Sequence, residues 1–324
     1  MKNIVVIFGG RTVEHDISIL TGLHAAKHVT GHKVLRVYLT KDNVMTMYGK
    51  KKPIYFSSGK LNNKIKIDCV INCCHGGVGE GGELAGYFET AGIPITSCNP
   101  YTAHILQSKT KTREVLSSNE FIQPEINPEN FPMIVKPDSL GSSIGISVAK
   151  DEYELNRAID LAKSMDNEII IEEYLKIDHE INCSAMRVGG EIVVSDCEEI
   201  KNDKNFLDYN TKYLDSSSGF IKKGGKKTKI PHEKEIKELT KKAYELFNCQ
   251  GVIRADFIIS NNLIHLNEIN TVPGFLAYHL WARSGVPYGV LLNDLINESI
   301  ANAKKTVITE FKSDILSANS HLLS

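Results

Sequence analysis

The residue types best suited to chemistry lie late in the chain, in Ile253-Arg-Ala-Asp-Phe-Ile-Ile259 and Leu266-Asn-Glu-Ile-Asn-Thr-Val-Pro-Gly-Phe275. Arg254 and Asp256 are two residues apart, as are Glu268 and Asn270, so in extended strands each pair projects from one face while apolar neighbours such as Ile253, Phe257 and Ile269 fill the other. A Ser260-Asn261-Asn262 turn between runs of β-formers closes the two strands into a hairpin. Two carboxylates and an amide oxygen then converge beside one guanidinium. Hard oxygen donors of this kind suit Mg²⁺, which takes a few carboxylates and fills its remaining positions with water and phosphate oxygens. Arg254 is left to neutralise a phosphate or a developing oxyanion. The competing reading is a salt-bridged hairpin with a solvated face, and the remainder of the chain decides between them.

A second set points to phosphate. The strand Phe131–Pro137 delivers Lys136 to its end, and Asp138-Ser-Leu-Gly-Ser-Ser-Ile-Gly145 follows with backbone amides and hydroxyls. N–H donors with one mobile cation match anionic oxygens, although this lysine precedes its loop and so departs from the Walker pattern. Upstream, His75 opens Cys74-His-Gly-Gly-Val-Gly-Glu-Gly-Gly-Glu83, whose five glycines let the backbone approach a ligand closely. Glu14 falls near a helix N-terminus, where a carboxylate is also ordinary capping chemistry. Lys109, Lys111 and Arg113 spread around a helix from Tyr101 to Asn119 and read as a solvated charge run. Glu172-Glu173-Tyr174-Leu175, with Glu180, could grip an adenosine through backbone groups at the base and a carboxylate at the ribose.

These residues need elements to hold them. Ile4–Phe8, the Gly9-Gly10 turn, a helix from Glu14 to about Val29 and Val34–Leu39 form a strand–helix–strand unit of a parallel α/β sheet. Its turn lacks the GxGxxG spacing of a dinucleotide site. Ile67–Cys73 is a third buried strand, residues 50–64 a surface hairpin or loop, and Ile93–Ile95 a short strand before a boundary at Asn99-Pro100. Asp151–Met165 is an amphipathic helix, and Val290–Ile300 a terminal packing helix. Residues 205–230 are polar and glycine-containing, like a mobile lid or a passive surface loop. A length of 324 residues implies two or three domains. Hydrophobic and charged fractions of 42% and 24% are those of a soluble globular protein, and a net charge of −1 provides no general field for nucleic acid. No apolar run reaches the roughly 18 residues of a membrane span, so a cytoplasmic protein is expected. Seven cysteines without repeated CxxC spacing read as free thiols in a reducing compartment.

GGRTVEHDIS, HGGVGEGGELAGYFE, IVKPDSLGSSIGIS, IIIEEYL, DYNTKY at 208–213, IRADF and NEINTVPGF occur in the order of the ATP-grasp enzymes. More narrowly the chain resembles the D-alanine–D-alanine ligase family, over residues 3 to about 303. That resemblance implies a three-domain α/β fold: an N-terminal parallel α/β substrate domain (1–98), then two α+β domains that sandwich the nucleotide, central and ATP-binding (99–180) and C-terminal with the metals (181–305), then a tail (306–324). It assigns Lys109, Lys136 and Ser143 to the ATP phosphates and Glu172, Glu173, Tyr174, Leu175 and Glu180 to adenosine. Asp256, Glu268 and Asn270 would hold two Mg²⁺ ions, with Mn²⁺ as a substitute. Glu14 would hold the first D-alanine ammonium, in a triad with Ser142 and Tyr213, and His75 would lie near that substrate's carboxylate. Lys212 and Arg254 would meet the transferring phosphate, Gly274 the oxyanion, and His279 and Leu280 the second substrate. A homodimer is implied too.

The match has departures. Where the family usually carries Thr and Ser after PGF, this chain has Leu276-Ala-Tyr-His-Leu280, placing His279 at the serine position, where it would bind a carboxylate as neutral donor or as cation. The lid carries Lys222-Lys-Gly-Gly-Lys-Lys227 in place of Cys-Pro-Ala, and Arg113 stands where a second lysine is common. Tyr213 points to dipeptide rather than depsipeptide formation. Two other readings stay open: a related ligase with another acceptor, such as D-serine or another amino acid, and a nucleotide-binding protein without turnover.

Overall fold

The computed structural model describes residues 1–200 and 229–303; Lys212, Tyr213, nearly all of the 205–230 stretch and the 306–324 tail lie outside the described residues. The amino-terminal sheet runs Met45–Met47, Lys33–Leu39, Asn3–Gly9, Cys69–Asn72, with the last three strands parallel and the first an antiparallel edge. Ile4 to Phe8 are wholly buried, as expected of a central parallel strand covered on both faces. The helix His15–His28 buries Ile17, Ser18, Thr21, Gly22 and Ala25, one face at helical spacing. Gly22 is required there: a Cβ would come within 2.2 Å of the Phe8 ring. Residues 50–64 contribute to a small antiparallel sheet of Phe56–Ser57, Lys60–Leu61 and Ile65–Lys66. The strand expected at 93–95 is a single bridge, Ile95 to Val70.

The helix expected from Tyr101 to Asn119 is two helices, Pro100–Gln107 and Lys109–Ser117. Ser108 breaks them with extended backbone, and its hydroxyl accepts from Lys111 N–H as an N-cap. Asn99 caps the first helix with Pro100 behind it. The break turns Lys109 and Arg113 inward, so the solvated-run reading holds only for exposed Lys111.

Next comes a three-stranded antiparallel sheet, Ile169–Glu173, Met133–Pro137, Ser147–Ala149, packed under the helix Glu152–Lys163. Its buried apolar cluster is three residues, Val135, Ala158 and Ala162, with Leu155, Ile159, Ile169 and Ile171 half-buried around them.

The last sheet is antiparallel. Glu191–Val194 and Glu198–Ile200 both pair with the long strand His179–Val188, which pairs with Ile253–Ser260, which pairs with Leu263–Asn270. Asn261 and Asn262, at φ +49° and +63°, form the two-residue hairpin turn that asparagine tolerates. One face packs against Pro100–Gln107 and Glu233–Leu246. Beyond the hairpin, Tyr278–Arg283 and Tyr288–Ala301 pack on the amino-terminal sheet, so Ile4, Val6, Phe8 and Ile71 share one core with Val272, Leu276, Trp281, Leu291 and Ile296.

Candidate functional site

The hairpin aligns its polar residues by register. Arg254 is opposite Asn270 and Asp256 opposite Glu268, and directly paired residues share a face. A bulge after Asp256 leaves Asn267 extra, which preserves the alternation of the acid row while the apolar residues beyond it stay inward. Arg254 donates to both Asp256 oxygens at 2.7 Å, and Asn270 Nδ2 approaches Asp256 Oδ2 at 3.1 Å and Glu268 Oε1 at 3.5 Å. Sequence reasoning missed the continuation of this row: Asn182 is in register with both Asp256 and Glu198. The buried Oδ1 of Asn182 has no hydrogen-bond partner among the described residues, an acceptor suited to a cationic or N–H-bearing group.

Among the described residues no three His, Cys, Asp or Glu side chains could hold a metal by themselves. The hairpin donors are two carboxylates and an amide, a set that fits an ion whose other positions are filled by phosphate oxygens and water.

The loop after Lys136 is fastened from two sides. Thr110 donates from N–H and hydroxyl to Asp138 Oδ1, at 2.8 and 2.7 Å, and Lys109 Nζ reaches Leu140 O at 2.7 Å. Ser139 gives its N–H and hydroxyl to Asp166. Burial lowers the Lys109 pKa against the pull of nearby acids led by Glu268. Lys136 Nζ is 2.6 Å from Glu172 Oε2, and Arg113 holds the other Glu172 oxygen at 2.8 Å. Glu172 is therefore a buried bridge between two cations. Glu173, Tyr174, Leu175 and Glu180 are half-buried nearby in sequence, and Glu173 and Tyr174 are tied by backbone to Glu125 and Pro132.

Ser142 and Ser143 have left-handed backbone, φ +55° and +58°, and Ser142 Oγ donates to Glu14 Oε1 at 2.5 Å. Glu14 is thus no side-chain cap of its helix; it meets a loop 128 residues away. Glu80, in the middle of the glycine run, is a further acid that sequence reasoning passed over. Burial, then Glu14 and Glu268, push its pKa well up, while Arg254 pulls it down. Its flanking glycines were the available signal. Glu80 also lines a small cavity of about 40 Å³ with Lys109, Gly141, Glu268 and Asn270, where the glycine run, the loop after Lys136 and the carboxy-terminal hairpin meet.

His75 is buried, with Nδ1 at 2.6 Å from Val272 O and Nε2 at 2.8 Å from Thr21 Oγ1. A Cβ added at Gly274 would meet open space, consistent with a backbone that a ligand can approach. Beyond it, His279 Nε2 is 3.4 Å from Glu198 Oε2, and Arg283 is 3.8 Å from the other oxygen. Burial, then Arg254 and Arg283, lower the His279 pKa to about 3, which favours the neutral imidazole of the two alternatives. Leu280 is wholly buried, in the core shared with the amino-terminal sheet.

The chain matches the family models described as D-ala D-ala ligase N-terminus, over residues 3–98, and D-ala D-ala ligase C-terminus, over 88–301. The D-alanine–D-alanine ligase of Thermosipho africanus (strain TCF52B) is 32% identical, covering 92% of this chain and 93% of that relative. Among solved structures, the VanG D-Ala:D-Ser ligase from Enterococcus faecalis superposes with TM-score 0.78 at 24% identity, over 92% of this chain and 99% of that one. The D-alanine-D-alanine ligase from Coxiella burnetii gives 0.79 at 22%, over 94% and 96%. At those identities the two structures speak to the fold, which is the ATP-grasp fold.

Proposed function

The chain belongs to the D-alanine–D-alanine ligase family, and from that premise we propose the residue-level account of an ATP-dependent ligation of two D-alanines. The product serves cell-wall peptidoglycan synthesis. ATP and D-alanine are the substrates, and metal ions accompany the nucleotide as in the family. By the same analogy the enzyme is a cytoplasmic homodimer acting on small molecules, with domain boundaries near 98 and 180.

Glu14, oriented by Ser142, holds the first D-alanine's ammonium. That substrate's carboxylate attacks the γ-phosphate, giving an acyl phosphate and ADP. Lys136 and Arg254, already oriented by Glu172 and Asp256, offset charge on the phosphoryl oxygens. Asp256, Glu268 and Asn270 hold the ions, two by this reading, which supply charge neutralisation at the phosphates when bound. The second D-alanine's amine attacks the acyl carbon, phosphate leaves, and the tetrahedral oxyanion is met by the Gly274 N–H and Arg254. Glu173, Tyr174, Leu175 and Glu180 line the adenosine, with Lys109 and Ser143 shaping the phosphate loop. Lys212 and Tyr213 complete the phosphate and triad roles from outside the described residues. His279, as a neutral imidazole, and the Leu280 N–H face the second substrate.

The observation that carries this reading is the in-register row of Asp256 with Glu268 and Arg254 with Asn270. The test is ADP and phosphate release with D-alanine, D-serine, D-lactate and L-alanine, with the product identified by mass. D-alanyl-D-alanine as the main product supports it. Preference for another acceptor points to a related ligase, and absence of turnover with every amino acid to a binding protein.

A further inference from the structure

Phe275, Leu276 and Ala277 all have left-handed backbone, φ +49°, +54° and +54°, immediately after Gly274. Side-chain-bearing residues occupy that region at a cost, and a run of three persists only where the surroundings dictate it. Two buried side chains from the amino-terminal sheet layer do so. His75 Nδ1 is 2.6 Å from Val272 O, and a carbonyl can only accept, so Nδ1 carries the proton. Burial lowers the His75 pKa, which leaves Nε2 an acceptor. The Thr21 hydroxyl, 2.8 Å away, therefore donates to Nε2, and its own oxygen accepts the Phe275 N–H at 3.2 Å. The chain of bonds runs Phe275 N–H to Thr21, Thr21 to His75, His75 to Val272 O. It fastens both ends of Val272-Pro-Gly-Phe275. One turn along the same helix, His24 meets the Phe275 ring edge-on at 5.5 Å between centroids.

We propose that Thr21 is a positioning residue for the ligation, which with His75 clips the Val272–Phe275 loop and so fixes the Gly274 N–H where the oxyanion forms. The inference rests on the ligase reading above. It makes His75 a positioning residue as well, since both its ring nitrogens are engaged by protein atoms. Thr21 touches no substrate in this account; it acts through the loop.

The test compares T21V, isosteric but without the hydroxyl, with T21S, which retains it. Dipeptide formation by the wild-type enzyme tests the ligase reading by itself; the ratio of variant to wild type tests the clip. T21V is expected to lower kcat on the order of 10²-fold, the cost of a misplaced catalytic dipole, with KM for ATP within about twofold of wild type. T21S should recover to within a few-fold. Amide exchange at Phe275 gives a readout independent of activity, and should be about tenfold faster in T21V than in T21S. If T21V fails to fold, T21A takes its place against T21S. A T21V or T21A enzyme with kcat close to wild type, a fall that T21S shares in full, or unchanged Phe275 exchange overturns the proposal.

Discussion

Two parts of the molecule are held together in opposite ways. The amino-terminal sheet and the carboxy-terminal helices share a single apolar core, with Ile4, Val6, Phe8, Leu291, Leu292 and Ile296 almost fully buried in it. Each such side chain contributes roughly 1.5–3 kcal/mol. The unit of Met133–Pro137, Ser147–Ala149, Ile169–Glu173 and Glu152–Lys163 is built around a much smaller cluster, Val135, Ala158 and Ala162, beside the buried Met133, Ala149 and Ile170. Its ties to the rest are polar: Thr110 to Asp138, Lys109 to Leu140, Arg113 to Glu172, Lys136 to Asn267 and Ser142 to Glu14. Polar ties exchange readily for bonds to water or ligand, whereas an apolar core does not. The acid row stands on a sheet with its own apolar core against Pro100–Gln107 and Glu233–Leu246, so it too is held rigidly, and the phosphate loop belongs to the part that can give way to admit a nucleotide.

Mutations should separate the two parts. The largest effect is expected at the rigid acid row. E268Q should reduce turnover by about 10²–10³-fold, the loss of several kcal/mol of charge stabilisation at the phosphates, with a melting temperature near wild type because Glu268 is half-buried and outside the apolar core. A full-rate E268Q enzyme would remove the row from the chemistry. Next comes E172Q. Its carboxylate lies between Arg113 and Lys136, with side chains about one-tenth exposed or less, so neutralising it leaves two cations short of their partner, at about 3 kcal/mol. Hydrogen exchange should quicken in Met133–Pro137 and Ile169–Glu173 while Ile4–Phe8 stays protected. Equal quickening in both would show one cooperative body and end the comparison. V135A should do the same more weakly, by about 1–3 kcal/mol, through a cavity in a core too small to absorb it.

What the sequence showed of this division follows from how local each signal is. Arg254, Asp256, Glu268 and Asn270 were legible as one face because strand alternation acts between residues two apart. Lys136 was legible as the end of a strand. Arg113 and Lys109 were not, because one serine at 108 breaks the helix and rotates both inward. Nor were Glu80, Asn182 and Glu198, whose placement depends on packing and register. The Phe275–Thr21–His75–Val272 chain spans 254 residues at its longest step, and no pattern in either segment announces it. The resemblance to a family provided the order of the motifs and the roles, whereas the contacts that orient each group came only from the fold.

The smallest effect concerns pH, and it places His279 on the rigid side. Its imidazole is held at about 3 in the folded chain by burial, then Arg254 and Arg283, against 6.5 ordinarily. The unfolded chain thus binds a proton below pH 6.5 that the folded chain refuses. The sign follows: this group's contribution is fully present above pH 6.5 and is lost progressively as pH falls from 6.5 towards 3. Glu198 beside it runs the other way, since burial raises its carboxyl and it takes a proton earlier on acidification. That offset is common to wild type and to H279N, in which the neutral amide removes only the imidazole. Between pH 6.5 and 5 the wild-type melting temperature should fall more than that of H279N, by about 2–4 °C. Because Tyr278–Arg283 packs into the shared core, the shift should appear in the main unfolding transition. Superposable pH profiles would mean that the imidazole is charged in the folded protein, and a cationic hold on the second substrate's carboxylate would become the better account of this position.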